Sequence, residues 1–250
     1  MQQARQLVAG AESDRIGVAI TLALAYGLRC GEVLGLHWSA VDWQARTVAV
    51  THGVKRIKNR DGSSDRKTQL VVSELKTQKS RRMLARTPEI MGKLRDQQAR
   101  QAHLKCVAGA LWQDHGLVFT STVGTPIDPD NFSHVFSRLC ESSGLGHWHP
   151  HELRHSGASL MAAQRTPLHV VSEVLGHASI AITKDVYGHL VEGDRRAAAE
   201  SMSGLLFGTR SRERGSQRGS QSHKNRRSQA GEGLVTWRAR RDSNPQPSDP

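Results

Sequence analysis

Between His151 and Tyr187 the chain sets out His151-x-x-Arg154, then Leu175-Gly176-His177, then Tyr187-Gly188-His189. The spacing is one that short helices can bring together. Three residues of separation put His151 and Arg154 on one face of a helix. Gly176 ends the predicted helix 167–175, which fixes the backbone of His177 just past the stop. Neither a carboxylate pair nor a cysteine-rich frame accompanies these residues. A planar guanidinium holds two oxygens of one phosphate. An imidazole donates to phosphate or moves a proton near neutral pH, and a tyrosine hydroxyl is a covalent nucleophile. The combination points to metal-free phosphoryl transfer through a phosphotyrosine.

The charge balance narrows the partner. The 250 residues carry a formal net charge of +12, which favours an anionic partner, nucleic acid first. Three scattered cysteines, Cys30, Cys106 and Cys140, do not form a disulfide framework and fit a reducing cytoplasm. The longest apolar run, Ile16 to Leu28, is interrupted by Thr21, Tyr26 and Gly27 and is too short for a bilayer. No signal-peptide pattern opens the chain. At 4% aromatic residues, base stacking is not an evident binding mode. The cluster His147, His149, His151 lacks the spacing and the nearby Cys or acid that a zinc site needs.

The hydrophobic pattern predicts helices over 2–11 and 15–24, the second with Ile16, Ala19, Ile20, Ala23 and Leu24 on one face. Arg29 follows. A buried arginine there needs an anionic partner, and Glu32, three residues on, is placed to hold its fork. Strands are predicted at Thr47–Thr51, Gln69–Leu75 and Arg81–Leu84, with a charged loop from Lys55 to Lys67. The turn Thr77-Gln78-Lys79-Ser80 then makes Lys76 the tip of a β-hairpin, with Lys79 as its rival. Further helices are predicted at 88–105, 128–140, from His151, at 167–175 and at 194–207, with the stretch 179–187 leading to Tyr187. Phe132, Val135, Phe136 and Leu139 read as core, and so does the run Leu117-Val118-Phe119.

These motifs, in order, resemble the tyrosine recombinase (phage integrase) family. Tyr26-Gly27-Leu28-Arg29-Cys30-Gly31-Glu32-Val33-Leu34-Gly35-Leu36 is similar to the family's first-arginine motif. Leu75-Lys76-Thr77 with Ser80-Arg81-Arg82 resembles its catalytic-lysine segment, and the His151–Tyr187 stretch completes the set. The resemblance implies an α+β, mostly helical catalytic domain over residues 1–207 with a small antiparallel three-stranded β-sheet. It implies a site-specific DNA recombinase that cuts and rejoins strands through a 3′-phosphotyrosyl intermediate, with Tyr187 as nucleophile. Arg29, Arg154 and His177 would clamp the phosphate. Lys76 would protonate the leaving 5′-oxygen, and His151 would assist proton transfer from the tyrosine. No cofactor, metal or small-molecule substrate is implied. The implied partners are double-stranded DNA and further copies of the chain in a tetramer, in the cytoplasm, away from membranes.

Two expectations concern the ends. Arg29 lies too near Met1 for the N-terminal core-DNA-binding domain of the family, which is expected to be absent. Residues 208–250 hold ten Lys and Arg against four Asp and Glu, with abundant Gly, Ser and Gln, and read as a basic, disordered tail. The rival functions are a non-catalytic DNA-binding remnant of an integrase, a type IB-like topoisomerase, and a metal-dependent hydrolase on the His147–His155 cluster.

Overall fold

The structure, a computed structural model, describes residues 1–59, 68–187 and 200–206. Helix α1 (Gln2–Gly10) leads into α2 (Gly17–Tyr26), whose sequence GVAITLALAY is apolar on every side. A helix apolar all round belongs inside, and α2 is the buried centre of the molecule, with Val18, Ala19, Ile20, Leu22, Ala23 and Leu24 all in the main core. It stops at Gly27, which is left-handed with φ 57°. Gly27 has a second reason to be glycine: a Cβ there would lie 2.3 Å from a Leu175 methyl. The turn delivers Arg29 to the front of the short helix α3 (Cys30–Leu34).

The α+β class and the three-stranded antiparallel sheet agree with expectation, but the strand membership differs. The sheet runs β1 (Val41–Asp42), β2 (Thr47–Val50), β5 (Arg82–Ala85) in space. Of the charged loop expected from Lys55 to Lys67, residues 55–58 are instead strand and 60–67 lie outside the described residues: β3 (His52–Lys58) pairs with β4 (Thr68–Glu74) through seven register pairs, from His52 opposite Glu74 to Lys58 opposite Thr68. In β3 only Val54 is buried, so the stretch carries no alternating apolar signal, and ladder pairing rather than burial makes it a strand. β4 therefore does not pair with β5, and Lys76 is not the tip of a hairpin between them. It lies on the connection by which the chain leaves one sheet and enters the other.

The long helix α4 (Pro88–Ala108) starts on a Thr87 cap with proline in its first turn, where no backbone N–H is needed. Leu117, Val118 and Phe119 are buried as expected. In α5 (Pro129–Ser142) Phe132, Phe136 and Cys140 face the core, the two phenyl rings stacked with centroids 6.5 Å apart. Helix α6 (Pro150–Ala163) crosses α2 where Gly157 meets the Leu24 carbonyl. Helices α7 (Leu168–Leu175) and α8 (Ile180–Tyr187) close a second, smaller core of Ala158, Ala162, Val171, Leu175 and Tyr187. Of the helix expected at 194–207, residues 200–206 are helical; the rest, and the tail 208–250, lie outside the described residues. Among the described residues no helix is long and apolar enough to cross a membrane.

Candidate active site

The α2–α3 turn, the connection into β5, α6, and the α7–α8 turn meet around a cluster of positive charge. Its root is Glu32, 3% exposed. One carboxylate oxygen takes Nη1 of Arg29 at 2.7 Å and the other takes Nη2 of Arg82 at 2.8 Å. The same carboxylate accepts the Arg29 backbone N–H at 3.1 Å, capping α3. Burial pushes the Glu32 carboxyl up, but the hydrogen bonds and charges of Arg82 and Arg29 outweigh it and hold the group below the usual range. Arg29 keeps 47% of its side chain exposed, so its fork is anchored on one side and open on the other.

Arg154 is buried on α6. Its Nη1 donates to the Gly27 carbonyl at 2.6 Å and its Nη2 to the Leu175 carbonyl at 2.9 Å. Both acceptors sit at helix C-terminal ends, where carbonyls lack intrahelical partners. Burial, with the like charge of Arg29 next in weight, lowers the guanidinium to about 10; it is still charged at neutral pH.

His177 follows Gly176, which is left-handed with φ 66°. Its Nδ1 lies 2.8 Å from the hydroxyl of buried Thr183. In the tautomer whose Nδ1 accepts from Thr183, Nε2 carries the proton and is the free donor. Burial, then the charges of Arg154, Arg29, Arg82 and His155, push His177 down to about 4. The native ring thus takes its proton near pH 4 and the unfolded one near 6.5. His177 therefore contributes stability that is complete above about pH 6.5 and is lost as pH falls through about 4. The melting temperature is expected to drop across that window more steeply for the wild type than for His177→Gln. Equal slopes would contradict this electrostatic picture.

Tyr187 ends α8 with 4% of its surface exposed, and its hydroxyl meets Nδ1 of His155 at 2.9 Å. Burial raises the phenol above its ordinary value and Arg154 opposes the rise. His151 packs edge-on against His155, ring centroids 4.7 Å apart. So Arg29, Arg154, His177 and Tyr187 come together, with His151 one ring behind. Lys76 is exposed on its connection. Its rival Lys79 donates from Nζ to the Ala178 carbonyl at 2.5 Å, next to His177. Sequence reasoning missed three members. His155 carried a signal, four residues from His151 on the same helical face. Arg82 stood in the lysine motif but without an assigned role, and Thr183 carried no signal, because their roles depend on partners 50 and 6 residues away that only folding brings together.

A mainly helical frame with small antiparallel sheets, holding three arginines, three imidazoles and a tyrosine hydroxyl in one cluster, defines a tyrosine recombinase catalytic domain. The chain belongs to the phage integrase family, which residues 1–193 match. It is 28% identical over 209 residues to a XerC-like tyrosine recombinase of Caldanaerobacter subterraneus, covering 82% of this chain and 54% of that protein. It is 31% identical over 216 residues to an integrase of Streptomyces ambofaciens, covering 82% and 52%. The chain thus spans about half the length of these relatives. Among solved structures, the Tn1549 transposon integrase in complex with transposon right end DNA superposes with a TM-score of 0.64 at 20% identity, over 81% of this chain and 64% of that one. The XerA recombinase superposes with a TM-score of 0.56 at 24% identity, over 81% and 63%. These two likenesses show the fold.

Proposed function

We propose that the chain is the catalytic domain, within residues 1–207, of a site-specific DNA recombinase that acts through a 3′-phosphotyrosyl intermediate. The observation that carries this reading is the Tyr187 hydroxyl hydrogen-bonded to an imidazole inside a cluster of guanidiniums. The Tyr187 oxygen attacks the scissile phosphorus, and the bond from phosphorus to the 5′-oxygen breaks. The phenolic proton passes to His155, against which His151 orients the ring. Lys76 gives a proton to the departing 5′-oxygen. Arg29, Arg154 and His177 Nε2 hold the non-bridging oxygens as charge builds on them; losing one such donor costs on the order of 10²–10³ in rate. Attack by another strand's 5′-hydroxyl reverses the step, so the number of phosphodiester bonds is conserved and no nucleotide is consumed.

The partner is double-stranded DNA in the cytoplasm, with four copies of the chain assembling on it. The net charge of +12 supports the DNA partner. Incubation of the protein in EDTA with a nicked duplex drawn from the flank of its own gene is expected to give a protein–DNA band on a denaturing gel. No band would instead support a DNA-binding remnant, and a band or cleavage lost in EDTA would support metal-dependent hydrolysis.

His155 gives a finer test. His155→Ala is expected to slow cleavage on the order of 10²–10⁴-fold, the usual contribution of a positioned proton acceptor. Added imidazole should restore part of the rate. Loss of rate in His151→Ala, with His155→Ala unaffected, would return the role to His151.

A further inference from the structure

Resting on the catalytic reading above, we propose that Arg82 is a positioning residue that sets the phosphate clamp and the lysine-bearing connection in one geometry. Arg82 opens β5, directly after the connection that carries Lys76 and Lys79. Its side chain is 7% exposed, so it reaches no solvent phosphate. Each arm of its guanidinium goes to a different part of the site. Nη2 binds the Glu32 carboxylate at 2.8 Å, and Glu32 in turn holds Arg29. Nε donates to the Val174 carbonyl at 2.6 Å, in the last turn of α7 just before His177. Nη1 donates to the Ser80 carbonyl at 2.9 Å, closing the connection onto its own side chain.

The α7–α8 turn is shaped to admit this group. A Cβ on Gly176 would come within 2.8 Å of Arg82 Nη1 and 3.1 Å of its Cζ. Gly176 is glycine for its left-handed backbone and also because the guanidinium occupies the place of a side chain. Lys79 fastens the same two segments a second time through the Ala178 carbonyl, leaving Lys76 on the free part of the connection.

One planar fork thus couples α3, the connection and the His177 turn. A lysine has the charge but not three donors in fixed directions. Without Arg82, the buried Glu32 has Arg29 as its remaining ion-pair partner, and the Arg29 fork is drawn onto both carboxylate oxygens, away from the substrate side. The positive charge of Arg82 also helps keep His177 unprotonated.

The test uses the full chain with Arg82→Lys and Arg82→Met. Single-turnover cleavage of the nicked duplex at saturating DNA is expected to slow roughly 10–100-fold in both, the range seen when groups that orient reacting residues are removed. DNA affinity should stay near wild type, because the Arg82 side chain is buried. The rate constant is read on the fraction that reacts, so partial unfolding lowers amplitude and not rate. Hydrogen exchange should quicken together in residues 76–81 and 176–179 while α4 and α5 are unchanged. Wild-type rates with unchanged exchange in either variant would overturn the proposal, as would loss of amplitude alone. If the wild type forms no adduct, the catalytic reading fails by itself, and the paired exchange response still decides whether Arg82 couples the two segments.

Discussion

Alanine in place of Glu32 is expected to destabilise the fold by about 3–5 kcal/mol, the cost of leaving one member of a buried ion pair without its partner. The expectation follows from what surrounds the carboxylate. Arg82 is 7% exposed and Glu32 3%, so neither can turn to water when the other is removed. Among the described residues Glu32 is also the one carboxylate bonded to these guanidiniums, with the Arg154 charge acting on the same group of residues. Its loss leaves Arg82 buried among like charges. The α3 cap disappears as well, since Glu32 accepts the Arg29 backbone N–H, which adds about 1 kcal/mol. Urea denaturation should show a lowered midpoint with an unchanged slope. Glu32→Gln keeps a hydrogen-bonding oxygen and loses the charge, and should fall between wild type and Glu32→Ala. A loss under about 1 kcal/mol in Glu32→Ala, the level of an exposed pair, would mean that the triad is solvated rather than buried.

The legible parts of this molecule are those whose signal is local. The apolar run of α2, the Thr87-Pro88 start of α4, the phenylalanine spacing of α5 and the Gly176 stop each announce themselves within a few residues. The pairing of Arg29 with Glu32 was legible for the same reason, because it lies within one helical turn. Strand pairing was not. β3 buries one side chain in seven, and its partner strand β4 lies across residues 60–67, so nothing nearby in sequence states the register. Once β3 takes β4, β5 is left to β2, and the hairpin expected around Lys76 becomes a crossing between two sheets. The site divides in the same way. Arg29, Arg154, His177 and Tyr187 are recognisable with their roles from motifs, whereas Arg82, though inside the Lys76 motif, acts through Glu32 and Val174, 50 and 92 positions away. His155 lay in view beside Arg154, but only the fold brings Tyr187, 32 residues on, against its ring.

Tyr187→Phe is expected to remove covalent chemistry entirely while leaving the protein folded. The ring stays in the second core with Ala158, Ala162, Val171 and Leu175. The change deletes one hydrogen bond, to His155, at a cost of about 0.5–1.5 kcal/mol. Loss of activity therefore cannot be assigned to unfolding, and circular dichroism together with DNA binding close to wild type should confirm this. The most direct measurement runs wild type and Tyr187→Phe side by side on the nicked duplex, with the cut strand labelled at one end or the other. The expected result is a protein-linked band in the wild type that retains the 5′-end label and releases the 3′-end label, as a 3′-phosphotyrosyl bond requires, and no band in Tyr187→Phe. An adduct of undiminished yield in Tyr187→Phe, or one that retains the 3′-end label, would contradict Tyr187 as the nucleophile of a 3′-phosphotyrosyl recombinase.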